Sequence, residues 1–178
     1  MRKEALRQQI RQRKLQYTTQ QLTEFSLSVI DRLKPRLAEA RTVLAYYSLP
    51  DEVCTHQLLD DLLAAGKTVI LPRVLDAGRM ELRRYKGPQD LKEGAFHIME
   101  PVGEPFTDYH LIDVALIPGV AFDAKGHRLG RGRGYYDCFL SSHLSLLNSH
   151  LLIGVCFDFQ KVDVVPFEAN DISVDMVI

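Results

Sequence analysis

The chain predicts an α/β fold: a mainly parallel sheet flanked by helices on both faces, forming a single three-layer domain over residues 1–178. Three observations carry this expectation. Short apolar runs rich in Val, Ile and Leu recur at 42–48, 68–71, 114–122 and 151–157, the composition of strands buried on both faces. Stretches with helical spacing of apolar residues stand between or before them. The strand–helix–strand lengths are those of right-handed parallel crossovers. A chain of 178 residues suits one domain, or one domain with a small subdomain, and buries a proper core.

Residues 2–15 have helix-forming composition, with Leu6 and Ile10 on one face among six cations. Thr18 or Thr19 caps a second helix that carries Leu22, Phe25, Val29, Ile30 and Leu33 on one face and is kinked or ended by Pro35. The run 42–48 reads as a buried strand. Thr55 caps a helix through Ala65, with Gly66 as its C′ residue. Residues 68–71 read as a strand stopped by Pro72, and 80–85 as a further strand. Residues 87–103 read as loop, punctuated by Pro88, Gly94, Pro101 and Gly103. A strand at 114–117 is interrupted by Pro118 and Gly119 and continues through 120–122. A helix at 135–147, a strand at 151–157 and a last short strand at 174–178 complete the chain.

Composition excludes several classes. A net charge of −1 does not describe a polycation, so bulk nucleic-acid binding is not indicated. No run approaches the roughly 20 apolar residues of a membrane span, and no apolar stretch follows the basic N-terminus as in a secretory signal. Cys54, Cys138 and Cys156 are an odd set without CxxC spacing, and the histidines are scattered. Reduced thiols in a cytoplasmic protein are expected, and no zinc site.

The chemistry concentrates in one segment, Arg128-Leu129-Gly130-Arg131-Gly132-Arg133-Gly134-Tyr135-Tyr136-Asp137. Glycines let a ligand approach backbone amides, and a helix N-terminus follows, so the segment reads as a phosphate-binding loop. The interleaved arginines add fork-shaped, charge-assisted donors. There is no GxxxxGK[ST] and no GxGxxG, so neither the Walker loop nor the dinucleotide fingerprint applies. Asp137, one turn into the helix, complements the helix dipole or holds magnesium against bound phosphates. Lys3 and Arg7 share a helical face and are able to clasp a polyphosphate if the loop lies near. Asp51 and Glu52 follow the first strand, where a carboxylate either hydrogen-bonds an N–H-rich heterocycle or caps the helix that starts near Thr55; position alone favours the cap. Asp171 on position alone is only a solvated acid.

Pro118-Gly-Val-Ala-Phe-Asp123 followed by Gly126-His127 and the glycine segment resembles the signature of the 5-formyltetrahydrofolate cyclo-ligases, also called methenyltetrahydrofolate synthetases. Further segments are similar in order and spacing: Lys3 to Arg7, Tyr47 to Glu52, Leu71-Pro72-Arg73, Glu100-Pro101, Asn170-Asp171 and Val174-Asp175. The resemblance implies an α/β fold and the ATP- and Mg²⁺-dependent conversion of 5-formyltetrahydrofolate to 5,10-methenyltetrahydrofolate, with release of ADP and phosphate. It implies that ATP is bound by Lys3, Arg7 and 128–136, that is Arg128, Leu129, Gly130, Arg131, Gly132, Arg133, Gly134, Tyr135 and Tyr136. It implies that folate is bound by Tyr47, Glu52 and residues 131–135. Asp137 and Asp171 would hold Mg²⁺, and Arg131, Arg133 and Tyr135 would be catalytic. Members also carry lysine or glycine at the position of Arg133, and often a smaller apolar residue at that of Tyr47. The expected partner is a small-molecule folate, with no nucleic acid and no membrane, and the expected state is a monomer. Two other classes stand beside this: a nucleotide- or folate-binding module without turnover, and an RNA binder using the two basic segments.

Overall fold

The computed structural model describes residues 2–76, 78–94, 98–143 and 151–178. In chain order its helices and strands begin with α1 (Lys3–Lys14), α2 (Thr19–Leu37), β1 (Thr42–Leu44), α3 (His56–Ala64), β2 (Thr68–Asp76) and β3 (Arg79–Tyr85). Then come β4 (Leu91–Glu93), β5 (Met99–Pro101), β6 (Val114–Pro118), β7 (Ala121–Phe122), β8 (Arg128–Leu129), α4 (Tyr135–His143), β9 (Leu151–Val155) and β10 (Met176–Val177). The main sheet has the order β10-β9-β6-β1-β2-β3, and all its neighbours are parallel except the β2–β3 hairpin.

The near-continuous apolar strands follow from burial on both faces. Val43 of β1 packs into a core with Val29 and Leu33 of α2 and Leu59 and Leu62 of α3. Leu44, the next residue, faces the opposite core with Phe139 and Leu140 of α4. Helices therefore cover both faces of the sheet, as expected. Among the described residues no helix is long and apolar enough to cross a membrane.

Local chemistry sets the element ends. Thr18 is the cap of α2: its side chain accepts from Gln21 N–H at 3.2 Å and its own N–H donates to the Gln21 side chain at 2.9 Å. After α3, Gly66 at φ +76° donates to Leu63 O while Lys67 N–H reaches Leu62 O, a Schellman closure.

Several expectations are corrected. α2 runs through Pro35 to Leu37. Pro72 does not stop β2, which continues to Asp76 paired with β3. β1 pairs only as far as Leu44, so past that point β2 is an edge and no ladder bond is asked of Pro72 on that side. Thr55 stands at the start of α3 but makes no side-chain cap. Its buried hydroxyl instead donates to Tyr46 O at 2.6 Å and accepts from Ser48 N–H at 3.2 Å, satisfying backbone groups left by the early end of β1. Residues 87–103 are not all loop: β4 and β5 form an antiparallel hairpin. Residues 121–122 leave the main sheet and pair with β8. β9 ends at Val155 and β10 covers only Met176–Val177. The final part of the expected helix at 135–147, residues 144–147, lies outside the described residues.

The topology places a crevice. β1 leaves through α3 to β2, while its neighbour β6 connects through α4, on the opposite face, to β9. Adjacent strands whose connections diverge leave an opening at their carboxyl ends, where α/β sheets bind ligands. α1 lies beside it, held by Leu6 and Ile10 against Ala121, Leu129 and Val165.

Candidate active site

A cavity of about 610 Å³ occupies this crevice. The end of β1 supplies Tyr46, Tyr47, Leu49 and Glu52; the end of β6 supplies Pro118 and Gly119. The glycine segment 128–137 forms one wall, α1 contributes Lys3 and Arg7, and the C-terminal segment contributes Glu168 and Asp171.

The glycine loop bends between β8 and α4. Gly132 and Gly134 take φ values of +99° and +71°, which L side chains rarely adopt. Gly132 also leaves room for α1, since a Cβ there would lie 3.4 Å from the Arg7 guanidinium. Arg7 Nε donates to Gly130 O at 2.9 Å, tying α1 to the loop. The loop feeds the N-terminus of α4, whose first N–H groups have no partners within the helix.

The arginines of the segment have distinct settings. Arg128 is buried; its Nη2 donates to Asp137 Oδ2 at 2.8 Å, its Nη1 to Pro118 O at 3.2 Å, and it lies over the Tyr136 ring. Arg128 Nε has no hydrogen-bond partner. Arg131 crosses the cavity mouth to Glu52 Oε1, at 3.1 Å from Nε and 3.0 Å from Nη2, and to Asp51. Lys14 of α1 also bonds Asp51. Burial alone would raise the Asp51 pKa, but the hydrogen bond and charge of Arg131, with those of Lys14, hold it below its ordinary value. Arg133 is exposed on the rim. Burial first, then the Glu52 carboxylate, push the Tyr46 and Tyr136 phenols up, so both remain protonated donors at neutral pH.

Asp137 and Asp171 come together although they are far apart in sequence. Ile172 N–H donates to Asp137 Oδ1 at 3.3 Å, so the peptide after Asp171 lies against Asp137. Lys3 Nζ bonds both Asp171 oxygens, at 2.9 and 2.7 Å, and stands 3.3 Å from Glu168. Burial alone would lower the Lys3 pKa; the hydrogen bonds and charges of Asp171 and Glu168 raise it overall. Among the described residues no group of three or more His, Cys, Asp or Glu side chains stands ready for a metal. Two neighbouring carboxylates do fit Mg²⁺, which is held by one or two carboxylates while phosphates and water complete its shell. Arg128, whose Nε has no hydrogen-bond partner, bonds one of them, Asp137, through Nη2.

The remaining wall is apolar. β2 contributes Leu71, Pro72 and Val74, β3 contributes Met80, and the β4–β5 hairpin contributes Ile98 and Met99 with Glu100 among them. A cationic, glycine-lined end and an apolar end thus share one space.

A model of the 5-formyltetrahydrofolate cyclo-ligase family matches residues 1–178. The chain belongs to this family. It is therefore grouped with ligases, as the names of its relatives agree. The Escherichia coli K12 5-formyltetrahydrofolate cyclo-ligase is 32% identical over 175 residues, covering 95% of each chain. The Saccharomyces cerevisiae one is 34% identical over 163 residues, 79% of this chain and 76% of the yeast protein. The NMR structure of Aquifex aeolicus 5,10-methenyltetrahydrofolate synthetase superposes with a TM-score of 0.81 at 35% identity, covering 99% of this chain and 89% of that one.

Every residue to which the cyclo-ligase resemblance assigns a site role lines this cavity, from Lys3 and Arg7 through Tyr47, Glu52 and 128–137 to Asp171. Glu52 does not cap α3: its Oε2 accepts from Leu49 N–H at 3.0 Å within its own turn. Tyr47 stacks on His56 with ring centroids 3.8 Å apart. Sequence reasoning missed the apolar wall and the adjacent Tyr46, Glu100 and Glu168. Leu71-Pro72 and Glu100-Pro101 were visible as family-like segments, yet nothing local in them reveals that β2 and the hairpin face the glycine loop.

Proposed function

We propose that this protein is an ATP- and Mg²⁺-dependent 5-formyltetrahydrofolate cyclo-ligase that forms 5,10-methenyltetrahydrofolate and releases ADP and phosphate. The observation that carries the reading is the single cavity joining an anion-binding loop to an apolar wall wide enough for a heterocycle. Lys3, Arg7 and the loop 128–136 bind the triphosphate, while Tyr47, Glu52 and the Arg131–Tyr135 face of the loop bind the folate. The formyl oxygen attacks the γ-phosphorus and the bond to ADP breaks, leaving an iminium phosphate on N5. N10 then bonds to the formyl carbon and loses its proton. The original formyl oxygen departs within inorganic phosphate.

No protein nucleophile is needed for this sequence, because phosphoryl transfer depends on positioning and charge. Arg131 and Arg133 stabilise the negative charge that moves between the two substrates, and Tyr135 orients them at the start of α4. Asp137 and Asp171 hold Mg²⁺, which when bound neutralises phosphate charge. Arg128 fixes the Asp137 carboxylate through their 2.8 Å bond. On this reading residues 1–178 act as one catalytic unit, working as a monomer in the cytoplasm.

The test is spectroscopic. Purified protein with ATP, Mg²⁺ and 5-formyltetrahydrofolate should generate the methenyl chromophore in the near-ultraviolet. Binding of both ligands to folded protein with no growth of that absorbance would favour a binding module instead.

A further inference from the structure

Glu100 is the one charged residue that β2, β3 and the β4–β5 hairpin bring to the cavity wall, among the described residues. It stands among Leu71, Val74, Met80 and Met99 and is 6% exposed. A buried carboxylate is costly unless donors reach its oxygens. Its Oε1 accepts from Val74 N–H at 3.0 Å, an amide of the free edge of β2. Its Oε2 lies over Gly94, where an added Cβ would fall only 2.1 Å away, so the backbone at that point leaves space that only glycine provides. Among the described residues no donor is bonded to Oε2. The other two glutamates of the cavity have cationic partners: Glu52 Oε1 accepts from Arg131 and its Oε2 from Leu49 N–H, and Glu168 pairs with Lys3.

A pteridine presents a flat ring whose 2-amino group donates but does not accept. Met80 and Met99 supply polarizable thioethers suited to a ring face. An acceptor set in such a wall reads an amino group at its edge. We propose that Glu100 Oε2 accepts a hydrogen bond from the 2-amino group of the substrate's pteridine and thereby sets specificity for that heterocycle. This rests on the folate reading of the cavity.

The test is calorimetric titration of 5-formyltetrahydrofolate, and separately of ATP, into wild type and Glu100→Gln. Glutamine keeps an oxygen for Val74 N–H but turns an NH₂ toward the ligand's donor. Folate affinity should fall roughly 10-fold or more, with ATP affinity and melting temperature unchanged. An analogue with hydrogen in place of the 2-amino group should bind wild type with the same loss, yet bind Glu100→Gln with little further loss. Gly94→Ala, which crowds Oε2, should reproduce the selective folate defect.

Equal folate affinity in Glu100→Gln and wild type would overturn the proposal while leaving the catalytic reading intact. Reduced ATP affinity would overturn it in favour of adenine contact. Folate binding that obeys these expectations in a protein without turnover would sink the catalytic reading alone. A wild type that binds no folate would overturn both.

Discussion

At the scale of single residues, two ion pairs separate chemistry from scaffolding. Asp137 pairs with the buried Arg128 on one side and is assigned to Mg²⁺ on the other. Asp137→Asn should lower kcat at least about 100-fold, and cost about 2 kcal/mol because Arg128 loses its counter-charge. Steady-state kinetics and urea denaturation separate the two effects. Asp51 lies in the other pair, where Arg131 and Lys14 outweigh the effect of burial and depress its pKa below 3.8. A depressed carboxylate stabilises the fold above its unfolded pKa, and the contribution is lost as pH falls through the lower folded value. Asp51→Asn should therefore melt at a lower temperature than wild type at pH 7, and the gap should narrow and then close as acidification protonates the Asp51 carboxylate. A gap independent of pH would mean that the carboxylate's charge contributes nothing.

At the scale of elements, α1, proposed to carry two of the ATP contacts, is held by ordinary packing. Leu6 is fully buried against Ala121, Leu129 and Val165. Leu6→Ala should cost about 2–5 kcal/mol and weaken ATP more than folate, since α1 carries Lys3 and Arg7; denaturation and calorimetry read both. Turn glycines offer a graded check by urea denaturation. Gly66→Ala meets no atom within 4 Å and should cost only about 1 kcal/mol for its positive φ. Gly126→Ala should cost distinctly more, because its Cβ would fall 2.1 Å from Val174 O. The crossovers around α3 and α4 were legible because apolar runs and helical spacing alternate with Gly66 and the glycine segment between them. The extension of β2 past Pro72 and the β4–β5 hairpin were not. Their pairing depends on where β1 ends and on contacts with residues distant in sequence, which no local pattern records.

At the scale of the whole molecule, the two halves of the cavity differed in how far sequence revealed them. The glycine segment announces itself, because alternating glycine and arginine before a helix has few uses. Lys3 and Asp171 are different: only the fold brings them within 2.7 Å of each other. The apolar wall is built from Leu71, Val74, Met80 and Met99, residues unremarkable in their own segments, and it becomes a site only when the β2–β3 hairpin stands opposite the loop. In the proposed function this shared space couples ATP to folate ring closure. The most direct measurement follows methenyl absorbance and ADP release together in one sample of wild-type protein with Mg²⁺. Both should rise at the same rate, one ADP for each chromophore, with neither rising if the folate is omitted. ADP release without chromophore, or chromophore formed without ATP, would contradict it.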